Sequence, residues 1–216
     1  MARILLVTNP ACDPPTEYLD SWSAGIIEAV KKQKDVLVLE LRKQEVNKEN
    51  LTKLIEQHQP QLVLFHGHGG EGHIQGFKYN ILVQCGENEH LLKDKIVHSL
   101  ACDSGKKLGP DCIQIGTVAY IGYKEEFKFA HFNKVGRQDQ LQDPIAELFL
   151  NPAFEAVRAL ITGRTVEQAH AQSQKMYLQN LRLVMTNSNP QAQDIAALIY
   201  HDLIHQVSLG NQAAYF

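Results

Sequence analysis

Apolar residues in this chain gather in short unbroken runs, separated by stretches where they recur every three or four positions. Arg3 to Thr8, Val36 to Leu41, Leu62 to Phe65, Ile96 to Leu100 and Thr117 to Gly122 read as strands, and their continuous Val/Ile/Leu character fits burial on both faces of a sheet. Helical spacing spans Thr16 to about Gln33, with Trp22, Ile26, Ile27 and Val30 on one face, and again Asn47 to Gln57. Asn9 to Pro15 is expected as a loop whose prolines bar regular pairing, and Gly76 to Gln84 as a hairpin or edge strand. The glutamine-rich last third predicts three helices. The first is Pro144 to Thr162, capped near Gly163; the second is Thr165 to Met185, opened by a Thr165/Gln168 capping box. The third runs from Gln191 to about His201 and carries an Ile195/Leu198/Ile199 stripe, with a last strand near Gln206 to Leu209. Strand and helix alternate, which predicts an α/β fold: three layers, a mostly parallel central sheet with helices on both faces.

With 216 residues, 44% of them hydrophobic, and no Pro/Gly/Ser-rich linker, the chain is expected to be one domain spanning 1–216. A net charge of -3 and a pI near 6.4 offer no electrostatic footprint for nucleic acid or an anionic membrane. The amino terminus has no long apolar stretch before a small-residue cleavage site, and no run approaches spanning length, so a soluble cytoplasmic protein is expected. Cys12, Cys85, Cys102 and Cys112 include no C-x-x-C pair, which argues against a disulfide framework or a zinc ribbon.

The chemistry concentrates between Gln61 and Gly105, where two apolar runs stop abruptly. One ends in a glycine-rich loop with His66, His68 and His73; the other ends at Cys102, followed by Asp103-Ser-Gly105. In an open α/β sheet, ligands bind beyond the carboxyl ends of the strands, so such endings on neighbouring strands would set an imidazole beside a thiol. His68, flanked by Gly67 and Gly69, is the better base, whereas His66 still lies on its strand. Cys102 stands where its strand ends, while Cys112 reads as core. The three-histidine spacing also fits a zinc reading, but Gly69-Gly70 stand where a two-histidine hydrolase pattern continues with an acid and a further histidine. No metal or other cofactor is expected in the chemical step.

These residues carry a resemblance to the caspase-like cysteine peptidases of clan CD, which join caspases, metacaspases, separase, gingipains and bacterial CHAT domains. His68-Gly-Gly-Glu-Gly-His-Ile-Gln-Gly76 resembles the caspase His-Gly loop, and Leu100-Ala-Cys-Asp-Ser-Gly105 resembles the Ala-Cys of caspases and the Cys-x-Ser-Gly of metacaspases and CHAT domains. Histidine precedes cysteine, the reverse of the papain-like order. The resemblance runs from Arg3 to about Tyr123; at the end, Val207-Ser-Leu-Gly-Asn211 departs from the Leu-x-Gly-Asp-Pro of gingipain and CHAT domains by Asn211 and Gln212. It implies a regulated bacterial-type cysteine endopeptidase that cleaves a specific protein through a thioester, with Cys102 as nucleophile, His68 as acid and base, and the amides of Gly69 and Cys102 as oxyanion donors. No third residue orienting the imidazole is named. The alternative is an inactive binding or scaffold module of the same fold.

The resemblance further implies control, because loops placed like Gly86 to Asp94 and Lys124 to Asp143 order around substrate or are cut in relatives. The latter is expected to become ordered with an activating partner, a dimer mate or a cleavage event, and calcium activation, seen in some relatives, stays open. Substrate choice stays open as well. Leu100 stands where metacaspases carry a basic-residue-binding acid; Glu125 or Glu126 would replace that acid, Lys124 would favour an acidic residue, and Leu100 an apolar one.

Overall fold

The computed structural model describes residues 2–131, 137–186 and 190–216. Strand β1 (Arg3–Asn9) leads through helix α1 (Pro14–Lys31) to β2 (Val36–Arg42), and helix α2 (Lys48–His58) leads on to β3 (Leu62–Phe65). Then follow β4 (Gly69–Gly70), β5 (His73–Gln75), β6 (Ile81–Gln84), β7 (Ile96–Ser99), helix α3 (Leu108–Gln114) and β8 (Ala119–Tyr123). Helices α4 (Pro144–Ile161), α5 (Val166–Met185) and α6 (Ala192–His205) precede β9 (Gln206–Gly210).

The central sheet has the order β2-β1-β3-β7-β8-β9, with every pairing parallel except that of β9 to β8. Period-two alternation then sends each run to two cores. Leu5, Val7, Leu62, Leu64 and Ile121 pack with α1 and α4, while Leu6, Val63, Phe65, Val97 and Tyr120 pack towards α2 and α3. A third cluster, around Phe149, Tyr177, Ile199 and Leu203, joins α4, α5 and α6. The mostly parallel three-layer α/β architecture expected from the pattern is present.

Four local expectations change. The prolines at 14 and 15 do not sit in a loop but open α1, where a missing N–H costs nothing because the first turn has no acceptors for it. Asp13 is the N-cap, its carboxylate accepting the Thr16 amide in a capping box. The segment Gly76–Gln84, expected as a hairpin or edge strand, does supply an edge strand, β6, but to a separate three-stranded antiparallel sheet, β4-β5-β6, after a short 3₁₀ turn at Phe77–Tyr79. Helix α3 was not expected; it tolerates Gly109 and Pro110 because both lie in its first turn, and it is held by buried Leu108 and Cys112. Helix α6 continues past His201 to His205.

Candidate active site

The site lies at the carboxyl ends of β1, β3 and β7, which are adjacent in the sheet. At the end of β3, Gly67 allows a backbone approach that a side chain would block, since a Cβ there would lie 2.8 Å from the Gln75 carbonyl. The Gln75 amide donates to the His68 carbonyl (2.9 Å), which fixes the loop. His68 is thereby turned out of the strand into a cavity of about 340 Å³, which Cys102 also lines.

From the end of β1, Asp13 meets the imidazole, with His68 Nε2 2.7 Å from Asp13 Oδ2. Burial pushes the Asp13 carboxyl up, but bonds from the Thr16 amide and hydroxyl and from His68 outweigh it and hold the group below its ordinary range. An ionised carboxylate only accepts, so Nε2 carries a hydrogen, and in the neutral imidazole Nδ1 is then the nitrogen with the lone pair. Tyr79 adds its hydroxyl to the same Oδ2 (3.1 Å) and its ring lies 5.2 Å from that of His68. Both Lys78 and Tyr79 have positive φ (52° and 64°), a costly conformation for non-glycine residues.

The cysteine turn is built more rigidly. Ser104, fully buried, donates to the Ala101 carbonyl (2.8 Å) and pairs with Ser99 Oγ (3.1 Å). Gly105 permits the turn to pass against Tyr123, for a Cβ there would meet Val207 at 2.7 Å and the Tyr123 carbonyl at 2.9 Å. The segment after β8 runs alongside: Gly105 N–H donates to Tyr123 (2.8 Å) and Asp103 N–H to Glu125 (3.2 Å). Asp103 itself is left-handed (φ 58°). Burial pushes the Cys102 thiol up to about 11; hydrogen bonding from the Phe127 main-chain amide opposes this, and the Glu126 and Asp103 carboxylates add to it.

The other sequence candidates take distinct places. Gly69 lies in β4 and packs against the Cys102 turn; a Cβ on it would sit 2.8 Å from Ala101 Cβ and 3.1 Å from the Cys102 carbonyl. Glu126 is at the cavity mouth, whereas Glu125 is not among the lining residues. His66 is buried away from solvent with Nδ1 donating to Asn9 Oδ1 (2.7 Å), and His73 pairs with Gln75 (3.2 Å), so the three histidines of the loop do not converge. Among the described residues, no group of three or more His, Cys, Asp or Glu could hold a metal ion. Within the Lys124–Asp143 connection, residues 132–136 lie outside the described residues. No described helix is long and apolar enough to cross a membrane.

The chain is similar to the complex of Porphyromonas gingivalis RgpB pro- and mature domains, with a TM-score of 0.58 and 11% sequence identity. The chain carries the caspase-like fold. The likeness covers 98% of this chain and 47% of that one, so this chain spans about half the length of its structural neighbour. No family model matches the sequence, and no curated protein matches it.

Asp13, Tyr79 and the Phe127 amide contact the two candidate side chains and were missed by sequence reasoning. For Asp13 a signal existed: an Asp at the end of β1, three before a threonine and just before two prolines, is a helix cap on the same sheet edge as His68 and Cys102.

Proposed function

We propose that the chain is a cysteine endopeptidase acting on a protein substrate, with Cys102 as nucleophile and His68 as general acid and base. The observation that carries the reading is a cavity lined by both side chains, in which a carboxylate from a third strand end fixes the imidazole tautomer. The structural neighbour, RgpB, is a gingipain of clan CD, which supports the same class of fold. The Cys-x-Ser-Gly turn is similar to that of metacaspases and bacterial CHAT domains alike.

With substrate bound, His68 Nδ1 takes the Cys102 proton as Sγ adds to the scissile carbonyl carbon. The Gly69 and Cys102 amides stabilise the oxyanion, a contribution of about a hundredfold to a thousandfold per donor. His68 passes the proton to the departing amine, the C–N bond breaks, and a thioester remains. Water, deprotonated by His68, adds to the thioester; collapse releases the carboxylate and returns the proton to sulfur. Asp13 stabilises the imidazolium in both half-reactions, and this chemistry uses no cofactor.

A peptidyl acyloxymethyl ketone library is expected to label the wild-type protein and to label neither Cys102→Ala nor His68→Ala. Labelling that persists in Cys102→Ala and vanishes in Cys112→Ala would move the nucleophile, and resistance to every probe would favour the second reading, a binding module of the same fold. The observation on that side is the protonated thiol, pushed up to about 11 by burial.

A further inference from the structure

Resting on the peptidase reading, we propose that the cavity beside Cys102 selects a substrate with a large apolar residue, of leucine or phenylalanine type, before the scissile bond. The walls are Leu19, Leu100, Phe127, Phe129 and Leu198, contributed by α1, the end of β7, the segment after β8, and α6. Leu19, Leu100 and Phe127 are buried and belong to the core that α1 and α4 form with the sheet, so the floor is an outcrop of that core. A volume of about 340 Å³ accommodates a large side chain.

The polar groups around the cavity bring no net charge to its floor, though His131 keeps a buried Nδ1 without a hydrogen-bond partner. The Thr16 hydroxyl donates to the Asp13 carboxylate (2.8 Å) and accepts the Cys12 amide (3.0 Å). Glu126 and Lys128, the two charged lining residues apart from the histidines, lie at the mouth 3.6 Å from each other, with side chains 64% and 39% exposed. Both sit in solvent at the mouth, and none of the apolar wall residues carries a charge. His131 stacks on Tyr18 and Phe129. Behind the wall, Asp202 accepts the Lys128 main-chain amide (3.0 Å), and burial raises its carboxyl well above the ordinary range. An arginine, lysine or aspartate side chain reaching past the mouth to the apolar floor would be desolvated without a counter-ion there, whereas an apolar one gains by leaving water.

The test uses acyloxymethyl ketones that share one peptide and differ only in the residue beside the reactive ketone: Leu, Phe, Arg, Lys or Asp. The Leu and Phe probes are expected to label Cys102 about tenfold or more faster than the charged ones. Fastest labelling by Arg, Lys or Asp, or a flat profile, overturns this inference and leaves the peptidase reading standing. Labelling by none of them, or labelling that survives Cys102→Ala, overturns both. Leu198→Glu, at a partly buried position on the outer wall, is expected to raise the Arg and Lys rates and lower the Leu rate; an unchanged ranking in that folded variant overturns the cavity as the selecting pocket. If that variant does not fold, Phe129→Ala reads the opposite wall, with a shift from Leu towards Phe expected and an unchanged ratio counting against the proposal.

Discussion

The two halves of the proposed catalytic pair are held in opposite ways. His68 is about one-third exposed, sits on a glycine-flanked loop, and has an ionised carboxylate at Nε2. Cys102 is partly buried on a turn locked by Ser104 and Gly105, and three features of its surroundings, burial first, keep the sulfur protonated. The proposed base is therefore oriented before substrate arrives, while the proposed nucleophile rests as a buried thiol. Such an arrangement predicts deprotonation of Cys102 within the substrate complex, by general-base transfer to His68, rather than a standing thiolate–imidazolium pair.

The largest way to break this contrast is to remove either partner. Cys102→Ala and His68→Ala are each expected to lower kcat on the order of 10⁴-fold or more, and the double variant to lose little beyond either single one, because the groups act as a unit. A double variant that lost the product of the two single effects would separate their roles. Initial rates on a peptide substrate measure all three.

Burial sharpens the contrast among the histidines. His66 and His98 lie on or just beyond the same two neighbouring strands, β3 and β7, but burial pushes their imidazoles down to about 3 and about 4. In the unfolded chain both would bind protons near 6.5. Folded-state values below the unfolded one mean that their contribution to stability is complete above about pH 6.5 and is lost as pH falls towards the folded values. Urea unfolding is expected to show a loss on the order of several kcal/mol between about pH 6.5 and pH 4. His98→Gln should flatten that slope; an unchanged slope would place the acid-sensitive groups elsewhere.

Asp13 serves two ends at once, and substitutions divide them. Asp13→Asn keeps a good helix cap, so stability should stay within a few tenths of a kcal/mol, while kcat falls by about a hundredfold through loss of the charge behind His68. Asp13→Ala should cost about 1 kcal/mol of stability as well. Equal kcat in Asp13→Asn and wild type would reduce the contact to a structural one. The smallest effect is expected from Tyr79→Phe, which removes one partly solvated hydrogen bond to Asp13: about 1 kcal/mol, or several-fold in kcat/KM.

The fold was largely legible because the strand cores are unbroken apolar runs; β3 was expected over Leu62 to Phe65 and is found there. His68 and Cys102 were legible because each ends such a run at a glycine-bearing turn. Asp13 was not, since its meeting with His68 spans 55 positions and depends on β1 and β3 being neighbours, which a hydrophobic pattern does not specify. Helix α3 escaped because Gly109 and Pro110 look like breakers until their first-turn position is known. The Phe127 amide escaped because a main-chain donor has no sequence signature; its place is set by α6, where His201 Nε2 donates to the Glu126 carbonyl (2.9 Å) and Asp202 holds the Lys128 amide.

The difference between an oriented base and a buried thiol is tested most directly by the pH dependence of Cys102 alkylation with iodoacetamide, a reagent too small to engage the substrate cavity. Following the Cys102 peptide by mass spectrometry, the rate is expected to be low at about pH 7 and to climb about tenfold per pH unit towards the thiol's value of about 11. A rate that has already reached its plateau by about pH 7 would show a standing thiolate and contradict the account.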